Sequence, residues 1–313
     1  MQTTGTGQES TQKTAGNRRS ERLRHFAGGH RFFIFAALGP AGIVLFMLTI
    51  YPFLANLWYS LLSYELTRPK NRPFVGLSNY IRVLTDPEFL AAVERTAIYV
   101  VVAVGLELIL GMLIAILLSQ NLHGESIFRS LLVLPIAATP VAVGLIWRLM
   151  YNPTGGLVNQ FLIGVGLPPG KWTGSPATAL PSLIIVDIWQ WTPFVILILL
   201  AGLLALPEEP FEAAKIDGAS ALQSFWHITI PMLSPLIYTA MLFRFIDAFK
   251  TFDIIWVMTG GGPGRATTTL NVFAFRTGFE FLHMGTAAAI AILMLILAIT
   301  VSTVLLRRST VNQ

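Results

Sequence analysis

The chain contains no cysteine in its 313 residues, which excludes disulfides and thiolate metal sites and says nothing firm about compartment. Charge is the next scarcity. Only 12% of residues are Asp, Glu, Lys or Arg, against roughly 25% in a soluble domain. Hydrophobic residues reach 54% and mean hydropathy is +0.67, which suits a chain whose solvent is lipid. The formal charge of +5 comes from basic residues at the ends and in loops, with no contiguous basic stripe between aromatics. Nothing therefore points to nucleic acid as a partner.

Catalytic signatures are missing as well. The five histidines (His25, His30, His123, His227, His283) are scattered and never pair on one helical face, as a metal site would want. Neither G-x-S-x-G nor H-E-x-x-H occurs. A phosphate cradle would read G-x4-G-K-[ST]. Of the five lysines only Lys171 follows a glycine, and Trp172 stands where Ser or Thr is required. The run Thr259, Gly260, Gly261, Gly262, Pro263, Gly264 is followed by Arg265 and reads as a tight extracytoplasmic turn. The expectation is a non-enzyme with no metal and no nucleotide or other cofactor of its own.

What the chain has in abundance is long apolar runs. A bilayer-crossing helix needs about 20 mostly apolar residues. Residues 32–64 carry no charge, 96–119 only Glu107, and 131–150, 180–204, 232–258 and 285–306 complete a set of six spans. The predicted fold class is an all-α membrane protein with six transmembrane helices and both termini on one side. Arg18, Arg19, Arg22, Arg24 and Arg31 precede the first span and Arg307 and Arg308 follow the last, favouring cytoplasmic ends. Arg68, Lys70, Arg72, Arg82 and Arg95 in the first loop nearly balance them. Residues 1–30, rich in Gly, Thr, Gln and Arg, read as a disordered tail. A signal peptide fits poorly, because the apolar stretch starts late and runs long. Residues 31–313 form the membrane domain, with no repeat and no soluble module.

One segment, 206–231, is polar although it lies between two membrane-type runs. Leu206-Pro207-Glu208-Glu209-Pro210 ends the fourth span and starts a short helix, with prolines and acids suited to a first turn. Gly218 can adopt the left-handed conformation that stops it. Ser220 and Gln223 have capping-box spacing for a second helix, and Pro231 marks return to the membrane. The bland alternative is an amphipathic interfacial helix without a partner.

Glu212, Ala213, Ala214, Asp217, Gly218, Ala219, Phe225, Ile228, Pro231 and Pro235 spell E-A-A-x3-G followed by I-x-L-P, with Ile230 replacing the usual Leu. This resembles the EAA loop of ABC importer permeases. Phe74 to Tyr80 (F-V-G-L-S-N-Y), Ile146-Trp147-Arg148, Asn152-Pro153 through Asn159, Trp191-Thr192-Pro193-Phe194 and the 259–264 run are similar to the carbohydrate branch, of maltose and glycerol-phosphate type. The resemblance extends from Phe32 to the end. It implies a type I importer (MetI-like) bundle in the bacterial inner membrane, with a cytoplasmic coupling-helix loop and cytoplasmic termini. Glu212, Ala213, Ala214, Asp217, Gly218, Ile228 and Pro231 would then couple to an ATPase. Implied partners are a second permease in a heterodimer, two ATPase subunits that bind ATP and Mg in trans, an extracytoplasmic solute-binding protein and membrane lipid. The implied cargo is a sugar or related polyol. A stand-alone secondary transporter is the alternative, but such proteins show paired halves with broken helices, and no halves are visible.

Charges inside the spans need a reason, since each costs about 2.5–3.5 kcal/mol at a helix centre. Arg244, Asp247, Lys250 and Asp253 recur every third residue along the fifth span. Either they neutralise one another in i,i+3 pairs, or their stripe faces the solute pathway, with Arg244 innermost. In the fourth span Asp187, Gln190 and Trp191, beside Trp189, suit a sugar's apolar face and hydroxyl rim, or else anchor an interface. Glu107 reads as a helix–helix polar contact. The pathway candidates are Arg244, Asp247, Asp187, Gln190 and Trp191.

Overall fold

A computed structural model describes residues 37–120 and 125–311. The tail expected over 1–30, and the connector around Gly124, lie outside these residues. The chain divides into two compact units, Met1–Trp58 and Tyr59–Gln313. The first holds nearly all of α1 (Ala37–Ser60), 24 residues that are apolar and long enough to span a membrane. No residue of α1 before Ser60 is buried. The helix contains a π-turn over Phe46–Ile50, in which the Tyr51 amide reaches back to the Phe46 carbonyl, and Pro52 follows. A proline lacks the N–H for the usual helical bond and its ring crowds the turn before it. A wider turn just ahead of it relieves that crowding.

The second unit opens with α2 (Ser78–Leu84) and α3 (Pro87–Leu118). Asp86 caps α3 by accepting from the Glu88 amide, and Pro87 occupies the first position. α3 therefore starts nine residues before the expected 96, because the cap lies in the polar segment that hydropathy ignores. The third apolar run is not one span. α4 (Glu125–Ala137) and α5 (Pro140–Met150) meet at a bend of 99°. Thr139 caps α5 through its hydroxyl and Pro140 starts it, a Thr-Pro signal that was readable in the sequence.

α6 (Leu157–Gly164) is a short helix ahead of α7 (Pro176–Leu204), the fourth span, which packs most extensively on α3. Gly111 makes that pairing close: a Cβ there would lie 2.6 Å from Val195 Cγ1. α8 (Glu209–Ile216) belongs to the polar loop. Then α9 (Ala221–Lys250) runs unbroken for 30 residues, so the second helix of the loop and the fifth span are one rod. Its π-turn, Phe225–Thr229, again stands two residues before a proline, Pro231.

The fifth span also ends earlier than 258. α10 (Asp253–Thr259) is a separate helix, and Thr251, with ψ 123°, breaks the rod. No proline or glycine marks this break. The freed carbonyls of Asp247 and Phe249 are taken by the Thr251 hydroxyl and by Asn271 Nδ2. The expected stripe of four charges is therefore a stripe of three, and Asp253 starts the next helix. α10 lies against α5, where Gly144 admits Val257 and Arg148 donates to the Val257 carbonyl.

The glycine run after α10 turns through Gly260, Gly261 and Gly264, all at positive φ. Thr267 and Thr268 donate to the Gly262 and Gly261 carbonyls, and Arg276 to that of Gly260, which ties the turn to the segment that follows it. α11 (Leu270–Phe275) and α12 (Met284–Val311) close the unit. Two apolar clusters form the core: a larger one around Tyr99, Leu183, Ile254, Ile255 and Ile290, and a second around Ala115, Ile196, Leu199 and Leu233. Among the described residues five helices are long and apolar enough to cross a membrane, or six if the bent pair counts as one.

Candidate functional site

Two regions carry the chemistry singled out above. The polar loop is built by local capping alone. Glu209 and Glu212 sit in the first turn of α8 with Pro210, where acids complement the helix dipole. Gly218, at φ +76°, ends it. The Gly218 amide donates to the Lys215 carbonyl and the Ala219 amide to that of Ala214, the paired bonds of a Schellman stop. Ser220 and Gln223 then form a reciprocal capping box at the start of α9, with bonds of 2.7 and 3.3 Å. The first helix, the glycine stop and the capping box expected of the loop are present, whereas the second helix continues past Pro231 without a break.

Glu212, Ala213, Asp217, Gly218 and Pro231 are exposed, and Ala214 and Ile228 half-buried. Sequence reasoning missed three apolar neighbours. Ile216, Leu222 and Trp226 are 86%, 67% and 59% exposed on the same loop.

The second region is a buried charge cluster where α3, α7 and α9 meet. Arg244, almost wholly buried, binds Glu107 with both ends of its fork, Nε to Oε2 at 2.6 Å and Nη2 to Oε1 at 2.9 Å. Nη2 also donates to Asp187 Oδ2 at 2.8 Å, and Nη1 to Asp247 Oδ2 at 2.7 Å. Lys250 Nζ lies 3.3 Å from Asp247 Oδ1. The guanidinium carbon is 4.8 Å from the Trp191 ring centroid, a cation–π contact. The i,i+3 pairing expected along α9 is present as Arg244–Asp247 and Lys250–Asp247. The cross-helix contact to Glu107 is stronger in kind, since it is bidentate, charge-assisted and buried. Glu107 is a helix–helix contact as expected, and its partner is Arg244.

Arg244 stands between its three carboxylates. Among the described residues, no group of three or more His, Cys, Asp or Glu could hold a metal ion. Not every polar atom is satisfied. Asp187 Oδ1 and Gln190 Oε1 are buried without a hydrogen-bond partner. Gln190 Nε2 donates to the Ala138 carbonyl at the α4–α5 bend, where a backbone acceptor is set free. Beside the cluster opens a cavity of about 420 Å³, lined by Asp187, Trp191, Asp247, Lys250, Thr251 and Asp253 among others. Four of the sequence-derived candidates thus converge here: Asp187, Trp191 and Asp247 at the wall and Arg244 behind it. Gln190 faces the bend instead.

The chain matches the family model described as "Binding-protein-dependent transport system inner membrane component" over residues 108–310. The chain belongs to this family. It is 42% identical over 270 residues to the probable ABC transporter permease protein y4oQ of Sinorhizobium fredii, covering 86% of this chain and 87% of that one. It is 40% identical over 268 residues to the trehalose/maltose transport system permease protein MalF of Thermococcus litoralis, covering 86% and 90%. In structure it resembles a bacterial ABC transporter involved in import of the acidic polysaccharide alginate, with a TM-score of 0.78, 19% identity, and coverage of 92% of this chain and 98% of that chain. That likeness establishes the fold as the importer-permease bundle.

Membership decides between the two transporter readings. The protein is a multi-pass inner-membrane permease, the non-catalytic transmembrane subunit of a binding-protein-dependent ABC importer. The permease's two charged regions then have separate jobs to explain: one is an exposed loop, the other a buried cluster between helices.

Proposed function

We propose that this permease carries a sugar or related polyol inward, driven by two ATPase subunits that bind ATP and Mg and dock on the 206–231 loop. A second, different permease would complete the pathway, and an extracytoplasmic binding protein would deliver the solute. The loop is then cytoplasmic, and with it both termini; residues 31–313 act as one membrane domain behind the tail.

The observation that carries this reading is the capped and exposed helix–turn–helix loop, continuous at α9 with the span that bears Arg244 and Asp247. A lever needs stiffness, and an unbroken rod from Ala221 to Lys250 supplies it. Closure of the ATPases would push α8 and the start of α9, and the rod would move the cavity wall. Only a loop with different affinity for two ATPase states can shift such an equilibrium. The sugar assignment is supported by the trehalose/maltose relative and by the cavity itself, where Trp191 offers an aromatic face next to Asp187 and Asp247.

The experiment is reconstitution of this permease with its second permease, ATPases and receptor, followed by uptake of labelled trehalose, maltose, glucose and glycerol. ATP-dependent accumulation of at least one of these is expected. Trp191→Ala should depress uptake at least about tenfold while complex yield holds, as loss of a stacking contact predicts. Uptake without nucleotide, or by this chain alone, would refute the reading.

A further inference from the structure

The solute cavity lacks balanced charge. Four carboxylates surround or line it, Glu107, Asp187, Asp247 and Asp253, against two cations, Arg244 and Lys250. Arg244 is 1% exposed and spends four of its five N–H donors on Glu107, Asp187 and Asp247, so it presents almost no surface to a solute. Lys250 is already within 3.3 Å of Asp247. Asp187 is fully buried at the cavity wall and its Oδ1 is closed off from a solute, so it acts on the cavity through its charge. Asp253 is exposed at the same cavity, and among the described residues no ion pair engages it.

We propose that this cavity is an anion-excluding filter, built to take neutral hydroxyl-bearing solutes and to reject those carrying phosphate, carboxylate or sulfonate. The inference rests on the cavity being the solute pathway, as proposed above. A neutral sugar or polyol supplies O–H groups that donate to the accessible carboxylates of Asp247 and Asp253, and an apolar face for Trp191. An anionic analogue of similar size brings a charge of the same sign as the free carboxylates, into a site whose two cations are occupied. Like charges in a cavity screened less than bulk water repel strongly. Rejection by repulsion, and not only attraction to the right cargo, is how discrimination is commonly built.

The test is direct binding to the purified full complex, held by ATP and vanadate, with the receptor omitted so that its selectivity plays no part. Trehalose, maltose, glucose and glycerol are compared with trehalose 6-phosphate, glucuronate and glycerol 3-phosphate. The best neutral solute should bind at least about tenfold more tightly than any anion. Asp253→Lys should narrow that gap by raising anion affinity, and Asp253→Asn should narrow it less. An anion bound as tightly as the best neutral solute overturns the filter. So does an Asp253→Lys complex of normal yield with an unchanged ratio. If Trp191→Ala leaves all binding intact, the pathway assignment itself fails, and the filter with it. If Trp191→Ala abolishes neutral binding while anions bind equally well, only the filter fails.

Discussion

Arg244 and Gly218 carry the sharpest expectations at the scale of single residues. From spacing alone, removing Arg244 would be expected to impair uptake more than assembly. Its surroundings reverse that order. Arg244→Ala would leave Glu107 and Asp187 buried with no cation, and loss of one member of such a network costs about 3–5 kcal/mol. Folded complex should fall first, measured by fluorescence-detected size exclusion. Normal yield with lost uptake would instead place the guanidinium in contact with cargo. Gly218 fails differently. A Cβ there meets nothing within 4 Å, so space is not the problem; φ +76° is. A left-handed residue with a branched side chain is strained by about 1–2 kcal/mol. Gly218→Val should therefore uncouple ATP hydrolysis from uptake in proteoliposomes while insertion proceeds. Gly218→Asn, which tolerates that backbone, should retain most coupling.

At the scale of elements, the α3–α7 pair and the α4–α5 bend hold the charge cluster in place. Gly111→Val drives a Cβ carrying two methyl groups toward Val195, whose Cγ1 and Cβ would lie 2.6 and 2.9 Å from the new Cβ. Overpacking of this kind costs about 1–3 kcal/mol. Thermal unfolding followed by tryptophan fluorescence should show a clear drop in Tm. Gly105→Ala on the same helix, with nothing within 4 Å, serves as the neutral comparison. Gln190→Leu removes the donor that satisfies the Ala138 carbonyl at the bend, at about 1–3 kcal/mol. Faster proteolysis near residue 138 would report it, and unchanged proteolysis would show that the bend is held by Thr139 and Pro140 alone. These elements also show where sequence reading stops. Hydropathy finds apolar length and cannot see a break that keeps hydropathy high. The Thr139-Pro140 break had a local signal, whereas the Thr251 break depends on Asn271, twenty residues later in the chain.

At the scale of the whole molecule, the permease is one part of a larger machine. Native mass spectrometry of the purified importer should find one copy of this chain, one second permease and two ATPases. Two copies of this chain would remove the heterodimer from the proposal. Replacing the exposed Ile216, Leu222 and Trp226 with serine should detach the ATPases, because truncation of a few buried anchors removes most of an interface's affinity. Co-elution unaffected by the triple change would leave the polar face of the loop, Glu212 and Asp217, as the gripping surface.

The sequence by itself determined everything that depends on neighbours a few residues away. The presence and order of the apolar spans follow from the apolar runs, although not their ends or breaks, and the loop from Glu209 to Gln223 follows from proline, glycine and capping chemistry. The absence of a phosphate cradle follows from what surrounds five lysines. Only the tertiary structure decided what Arg244 does. Its partners Glu107 and Asp187 lie 137 and 57 residues away along the chain. Nothing local says that three helices will bring them within bonding distance. Charges are costly enough in lipid that they had to meet, but which ones meet is fixed by packing, and packing is long-range.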